Sequence, residues 1–221
     1  MKRYLVLLLT VVVLSASGSL YAKDKLYFVF LNTNPDRKEI SEEKVNDLHK
    51  KHLNNITRLS NKGVIIAAGP FDGGGGLFII KAENLEDVNS YLYTDPAIAA
   101  DRYLLEIFPI NIYNGKLCDI PEDYEMVTYQ FVRLRSNGKT AEEDGKAIHD
   151  NRMFMQHLQF ETNELLVHAK FNDKNDGFLI LNVADTVKAN EIMNTHPSVI
   201  EGSILFETKP LWIAKGTFCE D

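Results

Sequence analysis

The chain is poor in cysteine, in net positive charge and, beyond its first residues, in long apolar runs. Its 221 residues contain 24 Lys and Arg against 31 Asp and Glu, a formal net charge of −7. A nucleic-acid partner requires a basic face to meet its phosphates, so that class is excluded. No segment after the N-terminal region is apolar for the ~20 residues that a spanning helix needs. No nucleotide or cofactor signature is present. The stretch Phe71-Asp72-Gly73-Gly74-Gly75-Gly76 is rich in glycine, but no helix start follows it. It therefore lacks the N–H cradle of a phosphate loop and is expected to be a hairpin turn.

The one long apolar run is N-terminal. Lys2 and Arg3 precede Tyr4 to Leu14, and Ser15 to Ala22 is small and polar enough for cleavage. This is the layout of a secretory signal peptide over residues 1–22, with Ala22 at the cut. The expectation is an exported protein, periplasmic or secreted, with about 199 mature residues and no membrane association after cleavage. Without Lys2 and Arg3 the net charge would be −9.

The two cysteines are Cys118 and Cys219, and they are equivalent positions in an internal repeat. Residues 25–118 lie over 126–219 at a constant offset of 101 without a gap. KLYFVFLN at 25–32 matches MVTYQFVR at 126–133, GLFII at 76–80 matches GFLIL at 177–181, and TDP at 94–96 matches THP at 195–197. Either a Cys118–Cys219 disulfide staples the two halves in an oxidising compartment, or both are buried thiols. Geometry decides between these readings, and sequence does not show it.

Each repeat has the same order of expected elements. In the first, Lys25 to Asn32 is a strand, and a helix capped by Ser41 runs to the stop at Gly63. Val64 to Ala68 and Leu77 to Lys81 are strands. Asn84 caps a second helix, and Arg102 to Tyr113 is a last strand with Pro109 marking an edge or a bulge. The second repeat reads as strand 126–133, helix 141–161 capped by Thr140 with Glu143, strands 165–171 and 177–183, helix 186–194 and strand 203–214. The order βαββαβ is the ferredoxin-like plan of an α+β fold. Residues 119–125 are a short acidic link. The strands are nearly continuously apolar, as strands covered on both faces are. The second face is expected to be covered by the other repeat, giving two sheets packed as an intrachain pseudo-dimeric α+β barrel, and a monomer.

Two polar residues stand out. His52 lies on the apolar stripe of the first helix with Val45, Leu48, Ile56 and Leu59, and His49 lies at its edge. Asp95 precedes Pro96 after the second helix. A carboxylate bonded to one imidazole nitrogen would leave the other as a proton acceptor near neutral pH. Asn55-Ile56-Thr57 matches a glycosylation acceptor, but it lies within the expected first helix and the pattern alone is weak.

His52-Leu53, Gly63, Ala-Ala-Gly-Pro-Phe at 67–71 and Asp95-Pro96 together resemble the YCII-related family over residues 25–113. The resemblance implies a ferredoxin-like fold of the dimeric α+β barrel type. It also implies a His–Asp active site, here His52 and Asp95, beside a pocket formed by His49, Gly69 and Pro70. Acid–base chemistry on a small phenolic or carbonyl compound is the implied activity, with no cofactor. A basic residue often stands three positions before the family histidine, where this chain has His49.

The second repeat departs from that pattern. Met153 replaces the histidine, His196 replaces the aspartate, and Ala-Lys-Phe at 169–171 replaces Ala-Gly-Pro. A thioether accepts no proton usefully, so the second copy is expected to serve packing. The alternative is a metal site from His149, His168 and His196, which no close ligand spacing supports. The competing function is a non-catalytic small-ligand-binding or structural protein on the same fold.

Overall fold

The protein is described by a computed structural model over residues 25–120, 123–138, 145–171 and 176–219. The expected signal peptide, the Thr140–Glu143 capping box and part of the 119–125 link lie outside the described residues.

The first half runs β1 (Lys25–Thr33), α1 (Glu42–Ser60), β2 (Ile65–Pro70), β3 (Gly76–Ala82), α2 (Leu85–Leu92), α3 (Pro96–Ala99) and β4 (Tyr103–Asn114). The second runs β5 (Met126–Ser136), α4 (Gly145–Gln156), a π-helical turn (His157–Glu161), β6 (Leu165–Phe171), β7 (Gly177–Leu181), α5 (Thr186–Met193), α6 (Pro197–Ile200) and β8 (Ile204–Ala214). Local chemistry fixes the boundaries. Ser41 Oγ accepts from the Lys44 N–H at the start of α1, and Glu42 and Glu43 occupy the positive first turn. Gly63 takes φ 68°, the left-handed conformation that ends the helix region, and Asn84 caps α2 through the Asp87 N–H. The single long helix expected over 141–161 is instead α4 followed by one π turn, with α4 first described from Gly145.

The expected two-sheet barrel is not what forms. Among the described residues eight strands form one antiparallel sheet in the order β2-β3-β1-β4-β6-β7-β5-β8, and that sheet is not closed. The halves join edge to edge, because β4 pairs with β6 in the register Ile110↔Phe171 and Ile112↔Ala169. That pairing satisfies the backbone groups that two separate sheets would leave open. The terminal strands β2 and β8 approach through one isolated bridge, Phe71↔Leu211, and the Asp72 N–H to Pro210 carbonyl bond of 3.0 Å, with no ladder between them. Pro109 is on neither an edge strand nor the bulge between Ile112 and Asn114. It falls where β4 pairs with β1 alone, before β6 joins at Ile110.

The apolar strands are covered on both faces, as their composition requires. On one face Phe28, Phe30, Phe71, Phe131, Phe171 and Phe178 pack into a core shared by the two halves. Phe28 and Phe178 have ring centroids 4.7 Å apart, a separation suited to aromatic packing. On the other face, Tyr27, Val29 and Leu31 pack with Leu59, Val88, Leu92 and Ile98 from α1 to α3. Val132 and Leu134 pack with Met155, Leu158, Ala189, Ile192 and Met193 in the second half. The shared core is therefore built by the curl of one sheet. Cys118 and Cys219 form a disulfide, 5.4 Å between Cα atoms. It is framed by the Leu117↔Phe218 bridge and by backbone bonds from Cys118 N to Thr217 O and from Cys219 N to Lys116 O.

Candidate active site

The spacing of α1 puts His52, Asn55 and Leu59 on its buried side. Leu59 anchors the helix in the apolar layer, and the two polar residues above it need partners. Asp95 supplies them. It is the N-cap of α3, with Pro96 at the first helical position, and Oδ1 accepts from the Ala97 N–H at 2.9 Å and the Ile98 N–H at 3.3 Å. Its other oxygen faces α1. Asp95 Oδ2 lies 2.8 Å from His52 Nδ1 and accepts from Asn55 Nδ2 at 3.2 Å. Asp95 is 1% exposed and His52 8%. A buried carboxylate is tolerated only when its lone pairs are filled, and four donors fill this one.

The same arrangement sets the tautomer of His52. The carboxylate is the acceptor for three N–H donors besides the ring, so Nδ1 carries the proton and Nε2 holds the free lone pair. The rings of Phe78 and Tyr103 flank the imidazole, at centroid distances of 6.1 and 5.9 Å. Burial, and then the Asp95 charge, push the Tyr103 phenol above its ordinary value, so it remains a protonated donor beside the pair. This set can take a proton at Nε2, hold the resulting imidazolium against Asp95, and give the proton back.

A second layer holds Asn55. Its Oδ1 accepts from Arg58 Nη2 at 2.7 Å, and Thr94 Oγ1 lies 3.1 Å away. Arg58 Nη2 also donates to Thr94 Oγ1 at 2.8 Å. Sequence reading missed Asn55, Arg58, Thr94, Phe78 and Tyr103. Asn55 carried a usable signal, since three residues after His52 on a helix is the same face. Buried and bonded to Asp95, it is not an exposed acceptor for a glycan.

Of the residues expected to wall a pocket, Gly69 and Pro70 lie on other parts of the fold, and His49 stands one turn before His52 on α1. His49 is exposed and takes no part in these hydrogen bonds. Gly69 shares the face of Ala67, which packs into the shared core on the side of the sheet away from α1. A Cβ there would lie 2.6 Å from the Trp212 carbonyl oxygen, so glycine is what lets β2 approach β8. Pro70 is exposed at the end of β2.

In the second half, His196 caps α6 as Asp95 caps α3. Its Nδ1 accepts from the Ser198 N–H at 3.1 Å, and its ring packs on Phe154 at 4.7 Å. Met153 is largely exposed. His168 Nδ1 donates to Asn114 Oδ1 at 3.3 Å, and His149 is exposed. Among the described residues no group of three or more His, Cys, Asp or Glu is placed to hold a metal ion.

Burial lowers both His168 and His196 from 6.5 to about 4, with Lys170 and then His196 adding to the effect on His168. The unfolded chain therefore binds more protons between these values. The stability contributed by the neutral rings is complete above pH 6.5 and is lost as pH falls toward 4. Each ring is linked to up to ~3 kcal/mol. Urea midpoints should fall steeply from pH 7 to pH 4.5, and His168→Gln should flatten the slope. An unchanged midpoint over that range would contradict the burial argument.

Comparison with known proteins follows the same division of the chain. Residues 26–111 match the YCII-related domain. That domain holds α1, α3 and the His52–Asp95 pair, and it covers less than half of the chain. No curated protein matches. Among solved structures, the chain is similar to 5-chloro-2-hydroxyhydroquinone dehydrochlorinase from Burkholderia phenoliruptrix, in complex with 2,5-dihydroxybenzoquinone. The identity is 22%, the match covers 37% of this chain and 89% of that one, and the TM-score is 0.31. It is also similar to a heme-binding protein from Thermus thermophilus, at 12% identity over 87% of this chain and 90% of that one, with TM-score 0.51. The second likeness is one of fold and spans both halves, beyond the YCII-related domain. Among the described residues no helix is long and apolar enough to cross a membrane.

Proposed function

We propose that His52 is the general base, and in the return step the general acid, of an exported protein acting on a small phenolic or carbonyl compound. Asp95 is its orienting partner. The observation that carries this reading is the buried 2.8 Å contact between His52 Nδ1 and Asp95 Oδ2. It fixes the tautomer and leaves Nε2 for a proton acidified by a neighbouring carbonyl or aromatic ring. The match of residues 26–111 to the YCII-related domain supports it, and the half-buried Tyr103 ring beside the imidazole suits a flat substrate. Export is supported by the basic and apolar N-terminal sequence and by the Cys118–Cys219 disulfide, which persists in oxidising compartments. Residues 25–118 and 126–219 are read as two copies of one unit, the second retained for packing; the core they share within one chain favours a monomer.

The test is a screen of substituted phenols, hydroquinones and β-dicarbonyl compounds with the purified chain in deuterated water. Proton exchange or elimination is followed by NMR. The reading expects catalysed exchange with at least one member, saturable in substrate. Saturable binding without exchange across the panel would favour the non-catalytic ligand-binding protein instead.

A further inference from the structure

We propose that Tyr103 donates a hydrogen bond to an oxyanion on the ligand of the His52 site, so that this site takes compounds which carry an enolate or phenolate oxygen or form one as the proton leaves. This deepens the reading of His52 as a base, on which it rests, by naming the group that meets the charge the base creates.

Proton removal leaves an electron pair behind. When His52 Nε2 takes a proton from an atom next to a carbonyl, the pair of the broken bond moves onto the carbonyl oxygen. Return of the same proton restores the carbonyl. The barrier falls when a donor already stands where that oxygen becomes charged. Asp95 can only accept, and the Asn55 amide is engaged by Asp95 and Arg58. Tyr103 has the free donor. It opens β4 shortly after α3, the helix that Asp95 caps, and its ring centroid is 5.9 Å from that of the imidazole. The ring packs on the apolar layer beneath α1, and the hydroxyl has no hydrogen-bond partner among the described residues. Among those residues the side-chain polar atoms sealed from solvent without a partner are Arg133 Nε and Thr208 Oγ1. The unbonded Tyr103 hydroxyl and His52 Nε2 therefore both reach solvent, and so does a ligand bridging them.

Two arginines stand by the same hydroxyl. The loop between β1 and α1 is tied to the turn before Tyr103, since Asn34 N donates to the Arg102 carbonyl at 3.0 Å and Asn34 Nδ2 to the Asp101 carbonyl at 2.9 Å. Arg102 Nη1 donates back to the Lys38 carbonyl at 2.6 Å, and Arg37 Nη1 to the Asn34 carbonyl at 3.0 Å. Both guanidinium groups are thus fixed by neutral acceptors at the start of β4. Their charges reach the phenol. Burial and then Asp95 push Tyr103 up, and Arg102 and then Arg37 act in the opposite sense. Once His52 holds the abstracted proton, its imidazolium balances Asp95. Arg102 and Arg37 then remain to face the new negative oxygen, with the Tyr103 hydroxyl as the donor to it. A ligand without such an oxygen gains from neither.

The test is binding of 4-nitrophenol to the full chain, followed by the nitrophenolate absorbance at a pH where the free ligand is half ionised. Binding should saturate and raise the ionised fraction. 4-Nitroanisole, which has the ring but no ionisable oxygen, should bind roughly tenfold more weakly or worse. Tyr103→Phe removes the hydroxyl alone. It should weaken nitrophenolate roughly tenfold or more and abolish the rise in ionisation. With an exchanging substrate it should lower kcat by about 10²–10³-fold, the loss of one oxyanion donor. Its melting temperature should stay within about 2 °C of the parent, because the hydroxyl has no partner to lose. The absorbance measurement needs no turnover, so binding that behaves as stated without any exchanging substrate keeps Tyr103 as the donor and defeats the base reading alone. The proposal is overturned by no saturable binding, by equal binding of nitroanisole, by Tyr103→Phe behaving as the parent does, or by a loss in Tyr103→Phe that comes with a large fall in melting temperature.

Discussion

His52→Ala will lower turnover of the exchanging substrate by about 10²–10⁴-fold, the range a positioned acid–base group supplies. The same change also costs stability. Truncation removes one of the donors on a carboxylate that is 1% exposed, and Asn55 alone then serves Asp95 Oδ2. A buried acceptor so deprived costs about 1–3 kcal/mol. A stability loss must therefore be separated from a catalytic one. His52→Gln offers an amide donor to the same oxygen and should recover part of the melting temperature, but an amide accepts no proton and turnover should stay low. Turnover that tracks stability through both variants would make His52 a structural residue.

Loss of the disulfide gives the largest expected change in stability. The bond closes a segment with a sequence separation of 101. In the chain-entropy model such a loop contributes up to ~4–5 kcal/mol through the unfolded state. For a chain of this size that corresponds to a fall in Tm of roughly 10 °C or more. The double variant Cys118→Ser with Cys219→Ser should still fold, because the β4–β6 pairing and the shared phenylalanine core do not depend on the bond. Scanning calorimetry of this variant against the oxidised chain measures the effect. A Tm within a degree or two of the parent would mean that the unfolded chain is already restrained without the bond.

Which parts of this were legible in the sequence follows from the range of the forces involved. Ser41, Gly63 and Asn84 mark element ends because capping and left-handed backbone are settled within three or four residues. His52 and Asp95 could be paired only by combining helix periodicity with a family pattern, since 43 positions separate them. Their supporting residues were not legible. Arg58 and Thr94 resemble ordinary surface residues until α3 is placed against α1. The sheet was misread for a similar reason. Continuous apolar strands report that both faces are covered, and they do so equally for two stacked sheets and for one curled sheet. Only the β4–β6 register distinguishes them, and edge pairing leaves little trace in side-chain pattern. Gly69 was assigned to a pocket because it sits in a family motif; its role here is the close approach of β2 to β8.

The central claim is that Asp95 holds His52 with Nδ1 protonated and Nε2 free to accept a proton. Long-range ¹H–¹⁵N correlation NMR on histidine-labelled protein, in the pH range where His52 is neutral, reads this directly and needs no substrate. The account predicts that His52 is the Nδ1–H tautomer, with an Nε2 signal at the position of an unprotonated nitrogen, and that Asp95→Asn weakens this preference. A His52 resonance pattern of the Nε2–H tautomer in the parent protein would contradict it.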